Sequence, residues 1–229
     1  MEKNAKVPER FRPRPRWLRW LECQRMPFAR SNAMLDATTA RSSRYLENRH
    51  LALALFAEQG YGQVSMRDLA AHLGIKAGSI YHHVESKEAL LFEFIEELYE
   101  QLLDNAALAR RHVDPATRLS TLIDGHLALH EAMGLHFRLA ELECRCLSGE
   151  RLEQLRDLRQ AYELALLEPL QQLAGQPLDS AGRGAVASIV SLLNQLPAWL
   201  DAGGLPSKQG QELMKRMILG TVHGALRLP

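Results

Sequence analysis

The chain has 229 residues, enough for one small and one larger domain, and its 46% hydrophobic and 24% charged residues are the proportions of a water-soluble globular protein. No apolar run approaches the ~20 residues a bilayer-spanning helix needs, which excludes a helical membrane protein, and the N-terminus shows no secretory signal pattern. Three cysteines make no disulfide framework and fit a reducing cytoplasm, and a net charge of +1 excludes a strongly basic chain, although residues 1–42 hold 10 Lys and Arg against 4 Asp and Glu.

Taken in order, residues 1–42 are rich in Pro and Arg at FRPRPRW, where the prolines forbid a continuous helix. Three readings stay open there: a disordered tail, residues ahead of a later start at Met26 or Met34, and a basic arm that follows DNA phosphates or enters the minor groove. Residues 43–60 read as the first helix, with Ala52, Leu55 and Phe56 striped along one side and Gly60 at its end.

The stretch 65–91, SMRDLAAHLGIKAGSIYHHVESKEALL, organises the rest. Leu69, Ala70 and Leu73 share one face of a short helix over 66–73. Ser65 occupies its N-cap position, and Gly74 stands where a left-handed C-cap residue belongs. A second short helix is expected over 77–83, carrying Ser79, Tyr81, His82 and His83 and no carboxylate, a surface suited to phosphates. Two short helices joined by a tight Gly-containing turn make a helix-turn-helix, whose second helix enters a major groove. Ser86 caps a third helix with Lys87 in its first turn. A cation there opposes the helix dipole, unless a phosphate also sits at that N-terminus.

From about Phe56 to Leu91 the chain resembles the DNA-binding domain of the tetracycline-repressor (TetR) family, on FAEQGY, SMRDLA and LGIKAGSIYHHVESKEALL in order and without a gap. The resemblance implies a three-helix DNA-binding domain over 43–91. Its DNA contacts would be Ser65, Arg67, Lys76, Ala77, Gly78, Ser79, Tyr81, His82, His83 and Lys87. Among them Tyr81, His82 and Lys87 would touch phosphates, and Ala77, Gly78 and Ser79 would face base edges. Three departures stand out. Lys76 replaces the usual capping Ser or Thr, Val84 replaces Phe, and Asn48 and Arg49 occupy usually apolar positions, so a frayed or shifted first helix is expected.

After Ser86 the pattern is helical almost to the end. Leu91, Phe94, Ile95, Leu98, Leu102 and Leu103 keep helical spacing. Asp114-Pro115 opens the next helix, Gly134 interrupts it, Ser148-Gly149 breaks the pattern, and Gly175 closes a long Leu-rich helix. A helix over about 180–201 is expected to kink or end near Pro197, and Ser207 caps a last helix reaching about Leu226. No strand pattern occurs. The expected fold is all-α with about nine helices: the helix-turn-helix domain, then a helical bundle over 92–229 for effector binding and dimerisation.

Several groups could carry chemistry in that bundle. Ile189, Leu192, Leu196, Leu213, Met217, Gly220 and Gly224 line the last two helices. On pattern alone they could equally close the chain's own core. The resemblance implies that these helices pair with their copies, giving a homodimer that reads a palindromic operator. His126, His130, His136, Arg138 and Tyr162 dot an otherwise apolar interior, as the polar groups of a small-molecule pocket do. His126 and His130 also have metal-ligand spacing. The alternative is therefore a metal-responsive regulator or a metal-dependent enzyme. No nucleophile elbow, phosphate loop or His-Glu-x-x-His pattern is present, so neither an enzyme nor a resident cofactor is expected. The expectation is a cytoplasmic, dimeric repressor with two partners, double-stranded DNA and an acyl or aromatic effector, and no membrane association.

Overall fold

The computed structural model describes residues 36–202 and 207–226, and among the described residues every regular element is helical. Residues 42–229 form one compact unit, and all the contacts below lie within it. The readings made on residues 1–35 lie outside the described residues.

The nine α-helices among the described residues are α1 (Asp36–Gln59), α2 (Met66–His72), α3 (Ala77–Ile80), α4 (Lys87–Ala109), α5 (Pro115–Ala132), α6 (Gly134–Leu142), α7 (Gly149–Ala174), α8 (Ser180–Ala202) and α9 (Ser207–Leu226). Short 3-10 turns occupy Tyr61–Gln63 and Cys144–Cys146. Local chemistry sets most of the ends. Asp114 caps α5 by accepting from the Thr117 N–H at 2.8 Å, with Pro115 at the first helical position. Gly175 ends α7 at φ +66, a conformation that costs a glycine little.

Three expectations are corrected. The first helix starts at Asp36, well before residue 43, and is continuous. Its polar residues have tertiary partners: Arg49 pairs with Glu97 at 2.7 Å and lies over the Phe94 ring, and Asn48 reaches the Leu73 carbonyl. α3 stops at Ile80 instead of residue 83. α8 spans Ser180–Ala202, close to the expected 180–201; it continues past Pro197, since a missing amide hydrogen bond need not end a helix that packs along a neighbour, here α9. The helix after Gly134, expected to run until Ser148, ends at Leu142, and a 3-10 turn over Cys144–Cys146 follows it.

α4 is the central strut. Leu90, Leu91, Phe94, Ile95, Leu98 and Leu102 are all buried to 1% exposure or less. Phe94 meets Phe56 of α1 edge-on, while α5, α6 and α7 pack around the remainder of the helix. Gly125 brings α5 so near that the Asn105 amide donates to its carbonyl at 3.3 Å. One continuous core therefore runs from the helix-turn-helix into the bundle.

Candidate nucleic-acid interface

α2 is pinned at both ends by groups that the sequence alone supplies. At its start Ser65 Oγ accepts from the Asp68 N–H at 3.2 Å, while the Asp68 carboxylate accepts from the Ser65 N–H at 2.9 Å. This reciprocal capping box satisfies two of the donors a helix leaves open, and the Ser65 bonds hold the Asp68 carboxyl below its ordinary range. At its end Gly74 lies at φ +66; its N–H reaches the Ala71 carbonyl and the Ile75 N–H reaches that of Ala70. That pair of bonds is a Schellman turn, and it fixes the angle between α2 and α3 with backbone atoms alone.

α3 is held from beneath. Ile80 is fully buried and Val84 nearly so. Lys76 occupies the N-cap position without a side-chain cap, as its replacement of Ser or Thr implies. Beyond Ile80 the chain continues in turns, with the His83 and Val84 N–H groups both on the Ile80 carbonyl. Lys76, Ala77, Gly78, Tyr81 and His82 are left exposed on this short stretch, Tyr81 at 59%. Arg67 and Ser65 are exposed at the start of α2; Ser79 and His83 are half-buried.

Lys87 does something the sequence does not reveal. Its ammonium donates to the Tyr61 carbonyl at 2.8 Å and the Val64 carbonyl at 2.9 Å, and lies 4.1 Å from the centre of the Tyr61 ring. Two of its three donors are thus spent tying the first turn of α4 to the chain segment that launches α2. Burial pushes the Tyr61 hydroxyl up to about 12, with Glu88 next in effect.

The bundle interior gathers three of the five polar groups expected there. His126, fully buried, has Nδ1 2.8 Å from the Tyr162 hydroxyl; His130 stacks on Phe137 and has Nε2 3.0 Å from the Asn194 carbonyl. Burial, reinforced by His130, pushes the His126 imidazole down to about 3, the Leu193 backbone only partly opposing it. His126 is therefore neutral, and its buried Nε2 makes no hydrogen bond of good geometry. His136 lies apart, 3.7 Å from Glu97 of α4, and Arg138 is exposed on an open cleft of about 240 Å³ that Phe56, Glu58 and Glu143 also line. Among the described residues no three His, Cys, Asp or Glu side chains converge as metal ligands would.

On the last two helices Ile189 is buried within the chain itself, and Leu192 and Leu213 are half-buried. Met217, Gly220 and Gly224 are exposed, with open space where a Cβ on either glycine would stand. The Leu196 side chain lies outside the described residues.

Two family models match this chain: "Bacterial regulatory proteins, tetR family" over residues 50–94 and "Tetracyclin repressor-like, C-terminal domain" over residues 112–222. The chain belongs to the TetR family. Curated TetR-family relatives include the transcriptional repressor KstR2 of Rhodococcus jostii, 39% identical over 67 residues, 29% of this chain and 33% of that protein. KstR2 of Mycobacterium tuberculosis is 44% identical over 63 residues, 28% of this chain and 30% of that one. The match thus spans about a third of the length of these relatives. Among solved structures, the TetR-family regulator PfmR of Thermus thermophilus superposes with a TM-score of 0.65 at 24% identity, covering 76% of this chain and 96% of that one. AibR, in complex with isovaleryl coenzyme A and operator DNA, gives a TM-score of 0.65 at 21% identity, covering 76% and 97%. At these identities the likeness speaks for the fold. Like those regulators, this TetR-family chain is a helix-turn-helix protein followed by a helical domain, and none of its described helices is long and apolar enough to cross a membrane.

Sequence reasoning missed the groups that join the two parts. Glu143 of the second 3-10 turn region accepts from the Tyr61 N–H at 3.3 Å, Ser148 bonds Glu88, and Arg151 pairs with Glu85 at 2.9 Å. Each joins residues more than fifty positions apart, where no local pattern could announce it.

Proposed function

We propose that this chain is a ligand-responsive transcriptional repressor that binds a palindromic operator as a homodimer in the cytoplasm. The observation that carries the reading is the exposed Lys76–His82 stretch, free of carboxylates and fixed from beneath by Ile80 and from the side by the Gly74 turn. Residues 43–91 would form the DNA-binding domain. Base edges would meet Ala77, Gly78 and Ser79, and phosphates would meet Tyr81, His82 and the remaining Lys87 donor. α8 and α9 would pair with their copies through Met217, Gly220 and Gly224, so that two motifs address successive major grooves ~34 Å apart.

The effector would enter the bundle of α4 to α7 beside His126, His130 and Tyr162. A neutral, desolvated His126 favours an uncharged polar atom over an ionic one, which supports a mostly apolar ligand. The isovaleryl coenzyme A complex of AibR makes acyl thioesters the first class to test. Displacement of the buried Leu98 or Leu102 would carry along α4 to Lys87. Coupling of this kind is worth ~1–3 kcal/mol, about 5–150-fold in operator affinity, and is reciprocal.

The test has two steps. The full chain is first used to enrich sequences from a randomised duplex pool; a palindromic product is expected, and no enrichment would overturn the reading. A panel of acyl thioesters, fatty acids and aromatic compounds is then titrated calorimetrically with and without that duplex. An inducer binds more weakly in its presence, and equal affinities would exclude that compound.

A further inference from the structure

Two helix N-termini meet on one carboxylate. Glu88 lies in the first turn of α4, whose cap Ser86 accepts from the Ala89 N–H at 3.0 Å. Its Oε1 accepts a second helix start as well: the Ser148 N–H donates to it at 2.7 Å and the Ser148 hydroxyl at 3.0 Å. Ser148 is the N-cap residue of α7, yet its side chain makes no capping bond to its own helix. The hydroxyl that would ordinarily serve α7 is directed across to Glu88. Gly149, at φ +50, turns the chain from the 3-10 segment into α7 at this point.

Glu88 is also adjacent to the clamp on the other side. Lys87 holds the Tyr61 and Val64 carbonyls, so the first turn of α4 is tied back to the segment before α2 and onward to the start of α7. Only residues 81–86 separate this double tie from the end of α3. Any displacement of α7 against α4 must be taken up in that connection. The Glu88–Ser148 bonds lie at the solvent-exposed surface, as does the neighbouring Arg151–Glu85 pair, but one of the two donors to Glu88 is a backbone N–H with no side-chain entropy to lose.

From these contacts we infer that Glu88 is a positioning residue for DNA reading. It fixes α3 relative to the bundle by clasping the start of α7, a connection separate from the length of α4. The inference rests on the proposed operator binding for its consequence, while its structural part can be read without DNA.

The experiment compares the full-length wild type with Glu88→Ala, Glu88→Gln and Ser148→Ala, and with the Glu88→Ala/Ser148→Ala double variant. Amide exchange in the free protein reports the clasp directly. Glu88→Ala should speed exchange of the Ser79, His82, His83 and Val84 amides by roughly tenfold, with α5 and α8 unchanged. Glu88→Gln keeps the accepting oxygen and should stay within about twofold of wild type. Affinity for the duplex enriched by the wild type should fall about five- to tenfold in Glu88→Ala, and affinity for unrelated duplex should fall far less. The double variant should be no weaker than Glu88→Ala, because both changes break one interaction.

Unchanged exchange at residues 79–84 in Glu88→Ala would overturn the inference, as would a Glu88→Gln protein that behaves like Glu88→Ala. If Glu88→Ala fails to fold, Glu88→Asp carries the test: it keeps the charge in the first turn of α4 but is one methylene short of both Ser148 donors, with faster exchange supporting the clasp and unchanged exchange refuting it. A wild type that enriches no sequence would remove the proposed function, and the exchange data would still decide the clasp.

Discussion

At the scale of single residues, the informative groups are polar side chains doing work away from where their sequence positions suggest. Lys87 reads from sequence as a phosphate ligand, and the structure puts two of its donors on carbonyls. Lys87→Met keeps the stem and removes all three donors. It should lower the urea unfolding midpoint by the equivalent of about 1–2 kcal/mol, through lost hydrogen bonds and the lost contact with the Tyr61 ring. It should also flatten the salt dependence of DNA binding by roughly one unit if the third donor reaches a phosphate. A flattened slope at unchanged stability would assign the ammonium to DNA alone. His126 and Glu97 make stability fall with acid in two windows that overlap between pH 4.5 and about 3. The folded chain keeps His126 neutral down to about 3 against 6.5 in the unfolded chain, so stability held above pH 6.5 is lost as pH falls towards 3. His136 first, and Arg49 against the opposing burial, hold the Glu97 carboxyl down to about 2 from 4.5, so its contribution is lost only below pH 4.5. Glu97 is 42% exposed, and solvent screening makes its share the smaller one. His126→Gln should therefore give a shallower decline of Tm between pH 6.5 and 4.5, and a decline as steep as in wild type would contradict the assignment.

At the scale of elements, what was legible in the sequence was whatever one turn of chain decides. Ser65, Ser86, Asp114, Gly74 and Gly175 all cap where their chemistry predicts, because a cap needs only its own next three or four residues. Gly74→Ala tests this directly. The position has open space around a Cβ, so the expected loss of about 1 kcal/mol comes from backbone conformation alone. Chemical denaturation measures it, and an unchanged midpoint would mean that the turn tolerates φ < 0. What was not legible depended on distant partners. Arg49 meets Glu97, Lys87 meets the Tyr61 carbonyl and Glu143 meets the Tyr61 N–H, contacts between distant residues that a linear pattern does not contain. The interior histidines illustrate the same limit. A four-residue spacing places His126 and His130 on one face, but whether that face meets a metal, a ligand or each residue's own partner depends on α7 and α8, which supply Tyr162 and Asn194.

At the scale of the whole molecule, stability and assembly separate. The α4 core is shared by both parts of the chain, so Leu98→Ala should cost about 2–5 kcal/mol and unfold motif and bundle in one transition. Two resolved calorimetric transitions would show that the parts fold independently. Gly224→Leu should instead leave the unfolding of the chain itself nearly unchanged, since the position is exposed, and convert a dimer to monomers in sedimentation. A dimer of unchanged strength would place the interface elsewhere. One feature of the motif also bears on how such a protein can change over generations. The angle between α2 and α3 is set by Gly74 and backbone bonds, and the depth of α3 by Ile80 and Val84, while Ala77 and Gly78 are exposed. The letters that would be read are thus carried by residues the fold does not need. A duplicated copy would drift to a new target through substitutions at these positions without approaching the threshold of unfolding, so divergence in the proposed operator sequence would meet little resistance from the scaffold.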